Sequence, residues 1–365
     1  MEYRQDIAFI NRKDELSQLY GYIADRPKAI LFLHGPKSSG KTTLLYRFFA
    51  KASKEEKLDI KFINLREILL SNYRDFLQSF FQIDYTRQNA DIKQKREYDL
   101  KVFKLSIETL KGLESKSLDP FVVMKKELLK SSKSGIKPVI IIDELQALDE
   151  IYLNGGRGLI TELFNFFVAM TKESHIAHII ISSSDGYFIE TVFTDSKLKK
   201  CSEFFEINYL SKEDTFEWLL NLYKYSKIKE YTLTSDDAVK IWEVVGGSMW
   251  EIQSILSKLF HAPLDDVLAE YKLRMRGIID DYIGFDQSKA DVLRLFVEDM
   301  KLSRKQMAQL ISKDMHTIED LLRDMVKNNV LYYDPTLALF YPQGRSLELG
   351  IKLYFEEDRM SSFNI

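Results

Sequence analysis

The chain has 365 residues, 52 Lys and Arg against 55 Asp and Glu, and a formal net charge of -3, which calls for two or three domains and excludes a surface built wholly for polyanions. A single cysteine, Cys201, excludes an internal disulfide, and no Cys/His cluster has zinc-ligand spacing. The N-terminus lacks the apolar core of a signal peptide and no apolar run approaches the roughly 20 residues that span a bilayer, so a cytoplasmic protein without a membrane role is expected.

In chain order, apolar segments at Ala29–Gly35, Ile60–Leu65, Pro138–Glu144 and Ala177–Ser184 read as strands buried on both faces, with a fifth at Phe204–Leu210. Thr43–Lys51, Tyr73–Phe81 and Leu159–Thr171 between them have helical spacing. This alternation predicts an α/β fold, a parallel sheet with helices on both faces, over residues 1–209. Residues 71–134 exceed a simple crossover and read as a helical insertion packed on that core, with helices in DFLQSFF, REYDLKVFKLSIETLKGL and PFVVMKKELLKS. Its charges, Arg87, Lys93, Lys95, Arg96, Lys101 and Lys104 against Asp91, Glu97 and Asp99, fit a solvated helical face. Residues 210–285 read as a small helical lid domain. Residues 286–365 read as a winged helix: KADVLRLFVEDM, RKQMAQLIS and HTIEDLLRDMVKNN as helices, then two strands around an Asp-Pro turn.

The chemistry concentrates at strand ends. GPKSSGKT, at Gly35–Thr42, fits G-x-x-x-x-G-K-[ST], the P-loop pattern, and lies between a buried strand and an amphipathic helix. Gly35, Pro36, Lys37, Ser38, Ser39 and Gly40 would wrap backbone N–H groups around phosphates, with Thr42 and Thr43 opening the helix whose positive end faces the same anion. Lys41 would reach the β- and γ-phosphates, and the Thr42 hydroxyl would bind Mg²⁺. Asp143 and Glu144 close a strand of four β-branched residues. Asp143 would hold the ion and Glu144 would deprotonate the attacking water, while the pair could also cap the helix that follows. Ser182 and Ser184 end their strand in hydroxyls that either sense the γ-phosphate or serve as turn chemistry. Gly246 and Gly247 either bring a helix end toward the nucleotide or close the preceding helix.

Together these residues resemble the archaeal ATPase family, a branch of the signal-transduction ATPases with numerous domains, related to AAA+ proteins. The resemblance is carried by FINRKDEL (Phe9–Leu16), the P-loop, IIIDELQAL with Gln146 two places after Glu144, IIISSS and VGGSMW. It implies ATP as the nucleotide, Mg²⁺ as its ion, a winged-helix ending, and Phe9, Ile10 and Arg12 near the adenine ring and sugar; Gln146 joins Ser182 and Ser184 as a sensor candidate. The chain departs from the family in two places. Lys200 and Cys201 stand where a Gly-Arg pair often precedes the fifth strand, no arginine occurs between Arg157 and Arg274, and Met249 replaces a usual proline. Lys199 or Lys200 would be a weaker point-charge substitute for the arginine.

The expected function is an ATP-dependent molecular switch, an ATPase slow without a partner, with the winged helix as its interaction module. Its partners are ATP or ADP and an unidentified protein, with oligomeric state left open. The alternative is a DNA-binding ATPase similar to archaeal origin-recognition proteins, in which Arg304 and Lys305 would touch a DNA backbone. Glu319, Asp320 and Asp324 against Arg323 and Lys327 make the third winged-helix segment a poor phosphate partner, so DNA is not favoured. A third possibility is a nucleotide-loaded protein that scarcely hydrolyses.

Overall fold

The structure, a computed structural model, describes residues 9–83, 102–149, 151–153 and 156–362. Its strands in chain order are β1 (Ile30–His34), β2 (Leu58–Asn64), β3 (Phe81–Ile83), β4 (Phe103–Leu105), β5 (Lys137–Asp143), β6 (Tyr152–Leu153), β7 (Arg157–Gly158), β8 (His178–Ser182), β9 (Ser202–Glu206), β10 (Leu331–Asp334) and β11 (Leu339–Pro342). Five of them form one parallel sheet in the order β2-β5-β8-β1-β9. Side chains alternate between two cores, as strand geometry demands. Ile30, Phe32, Ile140, Ile142, Ile179 and Ile181 face one layer, while Leu31, Leu33, Val139, Ile141 and Ile180 face the other. Helices α1 (Lys13–Ala24) and α2 (Lys41–Ala52) cover the second face.

The insertion covers the first face through α3 (Tyr73–Phe80), α4 (Ile107–Glu114) and α5 (Pro120–Lys133), joined there by α6 (Leu159–Val168) and α7 (Gly186–Thr194). Each start in the insertion has its own cap: Asn72 accepts from Arg74 N and Asp75 N, and Asp119 precedes a proline at the first helical turn. The helix expected across REYDLKVFKLSIETLKGL is corrected in its described part, where Phe103–Leu105 pairs as β4 with β3 and only Ile107–Glu114 is helical. Phe103 and Leu105 are buried with Lys104 exposed between them, a period of two that belongs to a strand. Arg87, Asp91, Lys93, Lys95, Arg96, Glu97, Asp99 and Lys101 lie outside the described residues.

The fifth strand also shifts, from the expected Phe204–Leu210 to Ser202–Glu206. Beyond it the chain crosses to α8 (Lys212–Leu220), α9 (Leu222–Ser226), α10 (Ser235–Val245), α11 (Met249–Lys258) and α12 (Leu264–Ile283). Then come α13 (Gln287–Glu298), α14 (Arg304–Leu310), α15 (Met315–Lys327), the antiparallel β10-β11 hairpin and α16 (Arg345–Ser362). Helix α12 crosses the boundary between these groups. Its Val267, Leu268 and Tyr271 lie in the core of α8–α11, and its Ile279 and Ile283 lie in the core of α13–α15. Packing of α16 along α12 fastens the two groups together, and Gly350 permits this: a Cβ there would stand 2.8 Å from the Met275 carbonyl oxygen.

Candidate functional site

The strand order puts β5, β8 and β1 side by side, so the loops leaving their carboxyl ends share one edge. The chain leaves β1 into a loop with glycine at both ends. Gly35 has φ 145° and a Cβ on it would lie 2.2 Å from the Ile207 carbonyl oxygen, while Gly40, at φ 93°, caps α2. Only glycine fits such positions without strain. Three side chains strap this loop. Arg12 Nη2 donates to the Ser39 carbonyl at 2.9 Å and the Asn208 carbonyl at 2.6 Å, and Nη1 pairs with Glu15 at 2.6 Å. Tyr209 Oη donates to the Lys37 carbonyl at 2.9 Å. Met249 Cε lies 2.4 Å from where a Cβ on Gly40 would be, so the first residue of α11 rests on the loop.

Lys41 Nζ is buried and donates to the Gly35 and Pro36 carbonyls at 2.8 Å each. Burial pulls its pKa down to about 8 against the opposing pull of Glu144 and Asp143. Pro36 and Ser39 are buried, Gly40 and Thr42 half-buried, and Lys37, Ser38 and Thr43 exposed. Thr42 Oγ1 donates to Asp143 Oδ2 at 2.7 Å. Asp143 is fully buried, and its Oδ1 has no hydrogen-bond partner among the described residues. A buried carboxylate oxygen without a partner is costly unless a cation or donor reaches it. Beside the Thr42 hydroxyl it forms a pair of hard oxygen ligands of the kind Mg²⁺ takes alongside phosphates.

Glu144 stands in the left-handed region at φ 62° and ψ 52°, with its N–H on the Ser182 carbonyl at 2.8 Å. A non-glycine residue there costs about 1 kcal/mol or more, a cost that recurs at functional sites. Its carboxylate accepts from Arg66 Nη2 at 2.5 Å, from Ser184 Oγ at 3.1 Å and from Gln146 Nε2. Arg66 Nη2 reaches Ser184 Oγ as well, at 3.2 Å. Ser182 Oγ is buried without a partner among the described residues, level with Asp143 on β5 and Leu33 on β1.

A family model described as an ATPase domain predominantly from Archaea matches residues 9–255. The chain belongs to this archaeal ATPase family. An uncharacterized ATP-binding protein of Methanocaldococcus jannaschii is 38% identical to this archaeal ATPase over 348 residues, 92% of this chain and 95% of the relative. Among solved structures, the Walker-type ATPase of Pyrococcus abyssi superposes with a TM-score of 0.67 at 15% identity, covering 94% of this chain and 96% of its own. The Aeropyrum pernix ORC2 protein, solved with ADPNP and ADP, superposes at 0.50 with 12% identity, covering 98% and 97%. At these identities the structures speak to fold alone. The archaeal ATPase therefore carries an ATP-binding ATPase domain on a mixed α/β fold with a parallel central sheet. No described helix is long and apolar enough to cross a membrane.

Of the residues singled out in the sequence, Lys41, Thr42, Asp143, Glu144, Gln146, Ser182 and Ser184 meet at one edge. Phe9 packs on the sheet's α1 face beneath the Arg47 guanidinium, 5.5 Å from its ring centre. Ile10 is buried in the core of the α8–α11 group. Lys199 and Lys200 are corrected as stand-ins for an arginine. They are exposed and precede β9, whose Ser202 is level with Ile30, so they sit at the amino edge of the sheet, about 13 Å of strand away from the loop. Arg304, which the DNA alternative would place on a backbone, is held within the chain: it forms a double contact with Glu190 of α7 at 2.9 Å and pairs with Glu319 at 2.5 Å. Arg66, Tyr209 and the seat of Met249 escaped the sequence because strand order, which brings them to the loop, is not written in periodicity.

Proposed function

We propose that the archaeal ATPase hydrolyses ATP with Mg²⁺ and acts as a nucleotide-controlled switch read out by its C-terminal unit, a winged helix spanning 286–365, across a helical lid of 210–285. The observation that carries the hydrolytic half is the Thr42–Asp143 pair with its unpartnered buried oxygen, one residue from Glu144. Loop N–H groups and Lys41 would bind the phosphates, and Thr42 Oγ1 and Asp143 would hold Mg²⁺. The ion, when bound, would neutralise charge on the β- and γ-phosphates. Glu144 would take a proton from the attacking water, and Ser182, Ser184 and Gln146 would report the γ-phosphate.

The switch half rests on where α7 leads. It begins two residues after Ser184, and the C-terminal unit docks on it through Arg304–Glu190 and through Tyr333 Oη, which donates to Glu190 at 2.6 Å. Gly186 lets β10 approach, since a Cβ there would meet the Tyr333 carbonyl oxygen at 2.4 Å. On the neighbouring strand His34, last residue before the loop, lies 3.3 Å from Tyr332 Oη, buried enough that its pKa falls to about 4. A change at the γ-phosphate edge therefore has a packed route to the hairpin.

The test is ATP turnover with Mg²⁺. Glu144→Gln is expected to lower it about 10²- to 10⁴-fold with ATP still bound, and Lys41→Ala to lose about 10- to 100-fold in ATP affinity. Unchanged turnover in the first variant removes Glu144 as the base. The second reading is the alternative drawn from the sequence, a DNA-bound ATPase. Stimulation of turnover by double-stranded DNA, fading as salt rises, would favour it; its absence supports a protein partner.

A further inference from the structure

We propose that Arg66 is the arginine this site presents to the γ-phosphate of ATP from within the same chain. The proposal rests on the ATPase reading above and adds the group that tells ATP from ADP. No arginine lies between Arg157 and Arg274 in sequence, and Lys199 and Lys200 lie at the opposite edge of the sheet. Arg66 reaches the edge from the other side. Strand β2 ends at Asn64, level with Asp143, and the Asn64 side chain caps the short 3-10 turn Leu65–Glu67 by accepting from Arg66 N at 3.1 Å. That cap fixes the backbone from which the Arg66 side chain crosses to Glu144 and Ser184, the assigned base and one assigned sensor. Its charge adds, behind burial, to what lowers the pKa of Lys41, which places it within electrostatic reach of the phosphate-binding lysine.

Arg66 is half exposed while Glu144 is buried, so the guanidinium has room to move and the carboxylate does not. A planar fork bound to one carboxylate oxygen is also suited to phosphate oxygens. Arrival of a γ-phosphate gives Arg66 a second anion at the same edge. Transfer of the guanidinium toward it frees Glu144 Oε1 to accept a proton from water. ADP brings no such anion and leaves the Arg66–Glu144 pair closed.

Affinities for ATP and ADP and single-turnover rates of wild type, Arg66→Ala and Arg66→Lys test this. Arg66→Ala is expected to weaken ATP binding about 10- to 100-fold, leave ADP binding within about twofold, and slow the single turnover by about 10³ or more. Arg66→Lys is expected to recover part of the ATP affinity and little of the rate, because it restores charge without the fork. Equal loss for both nucleotides, or turnover unchanged or raised in Arg66→Ala, overturns the proposal alone. Wild-type protein that binds neither nucleotide overturns the ATPase reading and this proposal with it.

Discussion

Lys41 sits where two opposing demands meet. The proposed phosphate-binding role would need it charged, yet it is buried, and burial draws its pKa to about 8. The sign of the consequence follows from linkage. Below pH 8 the free protein already holds the proton, so ATP affinity is expected to be flat with pH. Above it, binding the anion must first restore the proton, and affinity is expected to fall by up to tenfold per unit. Titrating ATP between pH 7 and 9.5 checks this; affinity flat to pH 9.5 would place the Lys41 charge elsewhere. The residues of this centre were legible because their chemistry is local. Gly35 through Thr42 is a contiguous loop, and Asp143–Glu144 closes a strand whose β-branched run marks it as buried. Arg66 was not legible. Its role depends on β2 lying beside β5, a pairing set by the whole sheet.

At the scale of elements, four of the five sheet strands were readable from apolar runs, and the misplacements have physical causes. Phe204–Leu210 is as apolar as a strand, but hydrogen bonding to β1 continues only as far as Ile207 N on the His34 carbonyl, at 2.7 Å. The chain then leaves to bring Asn208 and Tyr209 under the loop. Phe103–Leu105 reads as part of a helix until its two-residue burial pattern and its partner β3 are seen. The contact between α14 and α7 is a third feature that periodicity does not show, and it takes up Arg304, which the sequence offered to a DNA backbone only in the alternative that was not favoured. Arg304 and Glu190 are mostly buried, and the guanidinium also lies 4.4 Å from the Tyr333 ring centre. A double-mutant cycle of Arg304→Ala and Glu190→Ala is expected to give a coupling of about 1–3 kcal/mol in stability. A coupling near zero would mean that this pair does not hold the two elements together.

Over the whole molecule, the α/β architecture with its parallel central sheet was readable from the alternation of strand and helix. What periodicity does not carry is how the parts lean on one another. Helix α12 belongs to two cores at once, and α16 lies along it, so α8–α11 and α13–α16 are packed onto a shared helix. The chain beyond β9 touches the Gly35–Gly40 loop at Met249 and Tyr209, and touches α7 at Arg304 and Tyr333. A ligand that shifts the edge by differential contacts therefore has the means to shift that part of the chain.

The measurement that tests this most directly is amide hydrogen exchange in α7 and in Leu331–Asp334, on Glu144→Gln protein saturated with ATP and Mg²⁺ and compared with the same protein holding ADP. A nucleotide-controlled switch predicts different protection in both segments between the two nucleotides, with the P-loop protected in each. Identical protection in α7 and the hairpin, with both nucleotides bound, would contradict it.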